Sequence, residues 1–88
     1  MHLTATIQEQ VRNFIVESFY VSDPKELSYE VSLIDSGIVD STGMMDIILF
    51  LESTYGISIE DEETVPENLE TIDRIAAFMA RKQSGVAG

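Results

Sequence analysis

Apolar residues recur at helical spacing in three stretches of the chain, which predicts three main helices. The first is expected from about 7 to 19, because Thr6 and Glu9 form a capping-box pattern at its start. The last begins after Thr71 as its N-cap. Its predicted buried face consists of Ile72, Ile75, Ala76 and Met79. Since only 57–59 is expected to be a short extended segment, the pattern favours an all-α fold.

The middle helix is expected from about 41 to 55 and is apolar on more than one side. Asp40 or Ser41 caps its start, and Gly56 fits the position that follows its end. Its main apolar stripe comprises Met44, Ile47, Ile48, Leu51 and Tyr55. The remaining apolar residues lie off that stripe, namely Met45, Leu49 and Phe50. Because a small bundle cannot easily bury every side of a helix, we expect Met45 and Leu49 to be partly exposed.

Two irregular stretches connect the helices. In 20–39, Pro24 opposes a helix and Ser36-Gly37 is a turn signal. Five apolar residues of this long loop could fill the core: Leu27, Val31, Leu33, Ile34 and Ile38. The second stretch, 61–69, is predicted to contain a short helix. Its ends are not defined by the sequence, because Pro66 lies within the stretch. An irregular loop as long as the first usually has a function or some structure of its own.

The chain of 88 residues suffices for one small domain, which we expect to span 1–83 with 84–88 as a flexible tail. No apolar run reaches the roughly 18 residues that a membrane span requires. The absence of cysteine excludes disulfides, thiolate metal sites and a cysteine nucleophile. Since the chain has no pattern of a secretory signal, no membrane span and no cysteine, we expect it in the cytoplasm. We also expect it to be a monomer.

The charge of the chain is strongly acidic and unevenly distributed. Sixteen Asp and Glu residues oppose five Lys and Arg, for a net charge of −11. No Lys or Arg lies between Lys25 and Arg74, whereas all but three of the carboxylates do. Such a surface repels nucleic-acid phosphates and anionic lipids, and it speeds encounters with proteins that carry basic patches. We therefore expect neither nucleic acid nor a membrane as a partner.

The chain lacks the residue combinations that catalysis or metal binding would need. A nucleophilic serine requires a neighbouring base, but the only histidine is His2, and no G-x-S-x-G elbow surrounds Ser41. The acidic run at 60–63 lacks the alternating ligands and central glycine of a calcium-binding EF-hand loop, so a solvated acidic face is favoured. We expect no enzyme activity and no metal site. A serine that is displayed without being activated is typical of a residue that other enzymes modify.

Ser41 also belongs to an ordered set of motifs over 33–83 that resembles the acyl and peptidyl carrier protein family. The set comprises Leu33 before the Asp35-Ser36-Gly37 turn, Asp40-Ser41, Asp46, Glu52, Tyr55-Gly56-Ile57-Ser58-Ile59, Asp61-Glu62-Glu63 and the helix capped by Thr71. An Asp-Ser pair alone is an ordinary helix N-cap, whereas the whole ordered set is specific. The resemblance implies a four-helix bundle of the acyl-carrier type, with three main helices, one short helix and a long loop between the first two.

The resemblance also implies a modification. In that family the serine, here Ser41, carries 4′-phosphopantetheine, which a separate magnesium-dependent transferase takes from coenzyme A, and Asp40 assists the presentation of the serine. Such an arm would supply the thiol that the chain lacks, and a phosphodiester at a helix N-terminus is favoured by the helix dipole. The family's partner surface lies on its second helix and the loop after it. The matching positions are Thr42, Met45, Asp46, Leu49, Glu52 and Ile59.

Two residues depart from the commonest family pattern. Thr42 stands where the family most often has leucine, and Gly43 replaces an acidic residue typical of carriers in fatty-acid synthesis. This start is more similar to stand-alone carriers that work with an adenylate-forming ligase, such as D-alanyl and discrete aminoacyl or peptidyl carriers. We therefore predict a stand-alone acyl or aminoacyl carrier. The alternative is an unmodified acidic helical adaptor that binds a basic protein through Met45, Leu49 and Ile59.

Overall fold

A computed structural model describes residues 3–19, 21 and 23–83, without the side chains of 3–6 and 26. Within these residues the chain forms helices and no strands, which confirms the all-α prediction. The helices are α1 (Leu3–Ser18), α2 (Ser41–Tyr55), α3 (Pro66–Leu69) and α4 (Ile72–Gln83), with 3₁₀ turns at Pro24–Glu26 and Asp61–Glu63. His2 and the predicted tail at 84–88 lie outside the described residues. No helix in the described ranges is long and apolar enough to cross a membrane.

Helix α1 begins earlier than the sequence predicts. It starts at Leu3, so Thr6 lies inside the helix and the capping-box interpretation is wrong. A capping box acts only where the threonine backbone is non-helical. Leu3 and Ala5 are good helix formers, and neither proline nor glycine precedes Thr6 to stop the helix. The helix therefore extends toward the N-terminus through the expected cap.

The core lies mainly between α1 and α4. From α1, three side chains are fully buried: Ile7, Val11 and Ile15. The predicted face of α4 is confirmed, since Ile72, Ile75, Ala76 and Met79 are all fully buried, and Phe78 joins them. The predicted cap is also confirmed, because the Arg74 N–H donates to Thr71 Oγ1 at 3.1 Å. The described parts of both helices thus follow the apolar spacing of the sequence.

The long loop between α1 and α2 has structure of its own and is tied to the bundle at both ends. Near its start, the Arg12 guanidinium on α1 donates to the carbonyl of Leu27 at 3.2 Å and to that of Pro24. Further along, the Leu33 N–H donates to the Glu70 carbonyl at 2.9 Å. Two of the five predicted apolar residues, Leu27 and Leu33, are buried, and Val31 and Ile38 pack partly against the core.

Ile34 corrects the prediction for this loop, because its side chain is 45% exposed. Leu33 takes the inward position next to it, and the chain then turns at Gly37, which has a left-handed backbone with φ 81°. After this turn, Val39 returns to the core and donates its N–H to the Leu33 carbonyl at 3.0 Å. The turn predicted at Ser36-Gly37 is therefore confirmed, but it leaves Ile34 on the surface.

The stretch 61–69 contains two short elements instead of one helix. Because Pro66 has no N–H and restricts Val65 to extended backbone, a helix can start at Pro66 but cannot run through it. The Asp61–Glu63 turn before it is fixed to α4 by Lys82, whose Nζ lies 2.9 Å from Glu63 Oε1. A hydrogen bond from the Glu60 N–H and the contact with Lys82 lower the pKa of the Glu63 carboxyl.

The C-terminal end of α2 is formed by Gly56. This residue has φ 65° and ψ 37°, and its N–H donates to the Glu52 carbonyl at 2.9 Å. L-residues with a side chain rarely adopt this left-handed backbone, whereas glycine adopts it readily. The sequence prediction for this end of the helix is therefore confirmed.

Candidate functional site

Ser41 is the first residue of α2, and the residue before it caps the helix. The backbone of Asp40 is extended, and its Oδ1 accepts the Gly43 N–H at 2.7 Å. Of the two caps that the sequence left open, Asp40 is therefore the one used. The Ser41 side chain is exposed, and its hydroxyl makes no hydrogen bond to any part of the chain that the structure describes. The hydroxyl is thus available for reaction.

The local sequence explains this exposure. Val39 is 1% exposed and anchors the chain in the core immediately before the helix. Asp40 and Ser41 then lie at the surface, with the cap made by Asp40 holding the first turn in place. A phosphate ester on Ser41 would lie at the N-terminus of a helix of 15 residues, where unpaired N–H groups and the helix dipole favour an anion. The residues present therefore fit a phosphodiester-linked group.

A groove of about 590 Å³ opens beside Ser41 and runs between α2 and the segment that leads into α3. We call it the α2–α3 groove. Its apolar lining comprises Met44, Met45, Ile48 and Leu49 from α2, with Ile34, Ile59, Val65, Pro66 and Leu69 opposite. Its polar lining comprises Asp35, Glu52, Asp61 and Glu70, with the hydroxyls of Ser32, Ser41 and Thr64. The groove lining contains no Lys, Arg or His, so its charge is wholly negative.

The predicted exposure of two apolar side chains of α2 is confirmed. Met45 is 55% exposed and Leu49 is 57% exposed, and both line the α2–α3 groove together with Ser41. Thr42 and Asp46 are exposed as well, but they do not line this groove. The proposed partner residues therefore lie on two surfaces of the helix, one at the groove and one away from it.

Glu52 and Ile59 are joined by a contact that the sequence analysis missed. The Ile59 N–H donates to Glu52 Oε2 at 2.8 Å, and both residues are half-buried. This bond holds the segment after Gly56 against α2. Glu52 therefore has a structural role, in contrast to Asp46, the other carboxylate of α2, which is exposed. One sequence signal for this contact exists. It is a carboxylate in the last turns of a helix, just before the chain reverses direction.

Gly43 is another residue whose role the sequence analysis did not find. A Cβ at this position would lie 2.5 Å from Cε1 of Phe19, which is closer than side-chain carbons approach one another. Gly43 is therefore explained by packing, which weakens its use as a sign of the partner class. Phe19 belongs to an aromatic cluster in which Phe14 stacks on Phe50 of α2, with ring centroids 4.2 Å apart.

Comparison with known proteins gives the family. No protein-family profile matches the chain. It is 30% identical to the acyl carrier protein of Bdellovibrio bacteriovorus over 76 residues, which cover 86% of this chain and 94% of that one. It is 31% identical to the acyl carrier protein of Petrotoga mobilis, with 84% of each chain covered. It is 32% identical to the D-alanyl carrier protein of Streptococcus suis, with 78% of this chain and 85% of that one covered. These similarities extend over most of each chain, and the chain belongs to the acyl carrier protein family.

Proposed function

We propose that this protein is a stand-alone acyl or aminoacyl carrier on which Ser41 bears 4′-phosphopantetheine. The observation that carries the proposal is the Ser41 hydroxyl, which is exposed and unbonded among the described residues at the first position of α2. Family membership makes the alternative of an unmodified adaptor the less favoured one. The carrier itself catalyses nothing, and partner enzymes load and unload the group that it carries.

The attachment reaction requires a free hydroxyl and a fixed helix end. Ser41 Oγ forms a bond to the phosphorus next to the pantetheine of coenzyme A, the pyrophosphate bond breaks, and adenosine 3′,5′-bisphosphate leaves. The serine proton passes to a base of the transferase. Asp40 holds the first turn of α2 by accepting the Gly43 N–H, and the Met44 N–H donates to the Asp40 carbonyl. The N–H groups of Ser41 and Thr42 at the start of the helix would be the ones available to the phosphodiester. When attached, the arm supplies the thiol that holds the cargo as a thioester.

We propose further that the cargo is an aminoacyl group and that the loading partner is an adenylate-forming ligase. The α2–α3 groove beside Ser41 is lined by Asp35, Asp61 and other carboxylates, and by no cationic side chain. An ammonium group on an aminoacyl cargo complements this charge, whereas a simple acyl cargo, whose carboxyl group is consumed in the thioester, carries no charge for the groove to attract. The similarity to a protein named D-alanyl carrier protein agrees with this choice.

The attachment of phosphopantetheine to Ser41 is tested by intact-mass measurement of the purified chain. After incubation with coenzyme A, magnesium and a broad-specificity phosphopantetheinyl transferase, we expect one added phosphopantetheine per chain. Peptide mapping should then find the added mass on the fragment that contains Ser41. A matched incubation without coenzyme A serves as the control. If the wild-type chain gains no mass under conditions that modify another carrier, the proposed function is wrong.

The acidity of α2 should affect the rate of this modification. Asp46 is exposed on the same helix as Ser41, and a transferase with a basic surface would be attracted to it. We expect Asp46→Lys to slow the reaction roughly three- to tenfold at low salt, mainly through KM for the carrier. The wild-type rate should itself fall as salt shortens the screening length to about 8 Å and below.

The control for this experiment is Glu9→Lys, which changes the net charge equally at an exposed position on α1. Steady-state rates for the three chains at two salt concentrations give the comparison. If Asp46→Lys and Glu9→Lys slow the reaction equally, only the net charge matters. If neither salt nor the Asp46 substitution alters the rate, the acidic surface has no part in recognition.

A further inference from the structure

The ring of Phe19 occupies the space that a side chain at position 43 would need. Phe19 follows the last residue of α1, whereas Gly43 lies buried in the first turn of α2. A Cβ built on Gly43 would lie 2.5 Å from Cε1 and 3.2 Å from Cζ of the ring. The ring therefore rests directly on the backbone of the turn that begins at Ser41. No residue larger than glycine fits there unless the ring or the helix moves.

The same contact includes the helix cap. The Cβ position of Gly43 is 3.2 Å from Oδ1 of Asp40, and this oxygen accepts the Gly43 N–H. The half-buried Phe19 ring and the Asp40 carboxylate thus flank one stretch of backbone. An apolar ring beside a charged hydrogen bond keeps water away on that side, and such bonds are stronger where water is excluded. Phe19 therefore supports the cap that holds Ser41 in place.

Phe19 is itself fixed in position. Its N–H donates to the Ile15 carbonyl at 2.9 Å, and its ring meets Phe14 edge to face at 6.2 Å between centroids. Phe14 in turn stacks on Phe50, in the middle of α2. The aromatic cluster therefore contacts α2 at two places, the first turn and the centre. Rotation of α2 about its axis would break at least one of these contacts, so the cluster fixes the direction in which Ser41 points.

We propose that Phe19 is a positioning residue for the modification of Ser41 and that glycine at position 43 is required by this role. The inference rests on the proposed function. Phe19 does not touch the reacting hydroxyl; it holds the first turn of α2 so that a transferase meets Ser41 Oγ in one orientation. This extends the determinants of modification to the C-terminal end of α1, beyond the Asp40-Ser41 motif and the face of α2.

The test is a double-mutant cycle of wild type, Phe19→Ala, Gly43→Ala and the chain with both substitutions. With coenzyme A and a broad-specificity transferase, each single substitution should lower kcat/KM about tenfold, chiefly in kcat, because misplacement of a reacting group acts on the chemical step. In the Phe19→Ala background, Gly43→Ala should have an additional effect of about twofold or less, since the clash has been removed. Hydrogen exchange at the Gly43 N–H should be faster in Phe19→Ala.

Phe78→Leu is the matched control, because Phe78 is buried on α4 and does not belong to the aromatic cluster. It should lower the melting temperature while leaving kcat unchanged well below that temperature. If Phe19→Ala does not fold, Phe19→Leu retains apolar volume without the ring and should still lower kcat about threefold. Loss of stability without any loss of kcat in a folded Phe19 variant would overturn the inference while leaving the proposed function intact. A wild-type chain that is never modified would overturn both.

Discussion

Ser41→Ala is expected to abolish phosphopantetheine attachment completely and to leave the bundle folded. The substitution removes the only oxygen of this residue that can form the phosphodiester. It leaves the cap in place, because Asp40 and not Ser41 accepts the Gly43 N–H. The loss of stability should therefore be below the roughly 1 kcal/mol that removal of a true N-cap costs. Intact mass after incubation with coenzyme A and transferase, together with a thermal melt, measures both effects.

Ser53→Ala is the matched control for this experiment. It makes the same change on an exposed residue of the same helix, away from its N-terminus, and should be modified at the wild-type rate. Mass addition to Ser41→Ala at the wild-type rate would mean that another hydroxyl is the acceptor. Unfolding of Ser41→Ala would mean that the residue supports the helix and that its exposure has been misinterpreted.

Leu51→Ala should destabilise the protein strongly, whereas Leu49→Ala should impair function with little loss of stability. Leu51 is fully buried, whereas Leu49 is 57% exposed and lines the α2–α3 groove, as Ser41 also does. Truncation of a buried leucine costs about 2–5 kcal/mol. That is a large part of the roughly 5–15 kcal/mol by which a domain is stable. An exposed truncation usually changes stability by about 0.5 kcal/mol or less.

These two variants control for each other, because both replace leucine by alanine within α2 and alter helix propensity equally. Urea denaturation should separate them clearly. Loading assays with an adenylate-forming ligase should show slower loading of Leu49→Ala than of wild type. If both variants unfold at the same urea concentration, Leu49 belongs to the core and the partner surface has been placed on the wrong side of α2.

The limits of α2 could be predicted from sequence because both ends carry a local signal. Asp40 at the start and Gly56 at the end act on their own backbone, so neighbouring residues are sufficient to identify them. The start of α1 was predicted wrongly for a related reason. Thr6 and Glu9 match the sequence pattern of a capping box, but they do not start the helix, because the residues before Thr6 are already helical. A capping pattern therefore marks the start of a helix only where the residues before it are not themselves helical.

The candidate site was predictable only in part. The Asp40-Ser41 pair is a local motif, and Met45 and Leu49, which lie outside the apolar stripe, are exposed as the pattern predicts. Phe50 lies outside the same stripe but is half-buried against Phe14, which the pattern alone does not predict. The contact between Phe19 and Gly43 joins residues on opposite sides of the long loop, and no local pattern encodes it. A partial signal exists nevertheless. Glycine inside an apolar helix is less stable than alanine by about 1 kcal/mol, so its presence there indicates a close approach of another group.

The left-handed backbone of Gly56 bears on the chirality of the residue that this position accepts. An L-Cβ at this position would meet no atom within 4 Å, so the space for a side chain is open. What opposes an L-residue is its handedness, since left-handed backbone costs about 1–2 kcal/mol for it. The mirror-image residue, D-alanine, favours the torsion angles that Gly56 adopts. The end of α2 is therefore suited to an amino acid of the opposite hand, and glycine, being achiral, is the nearest residue that ribosomal synthesis can place there.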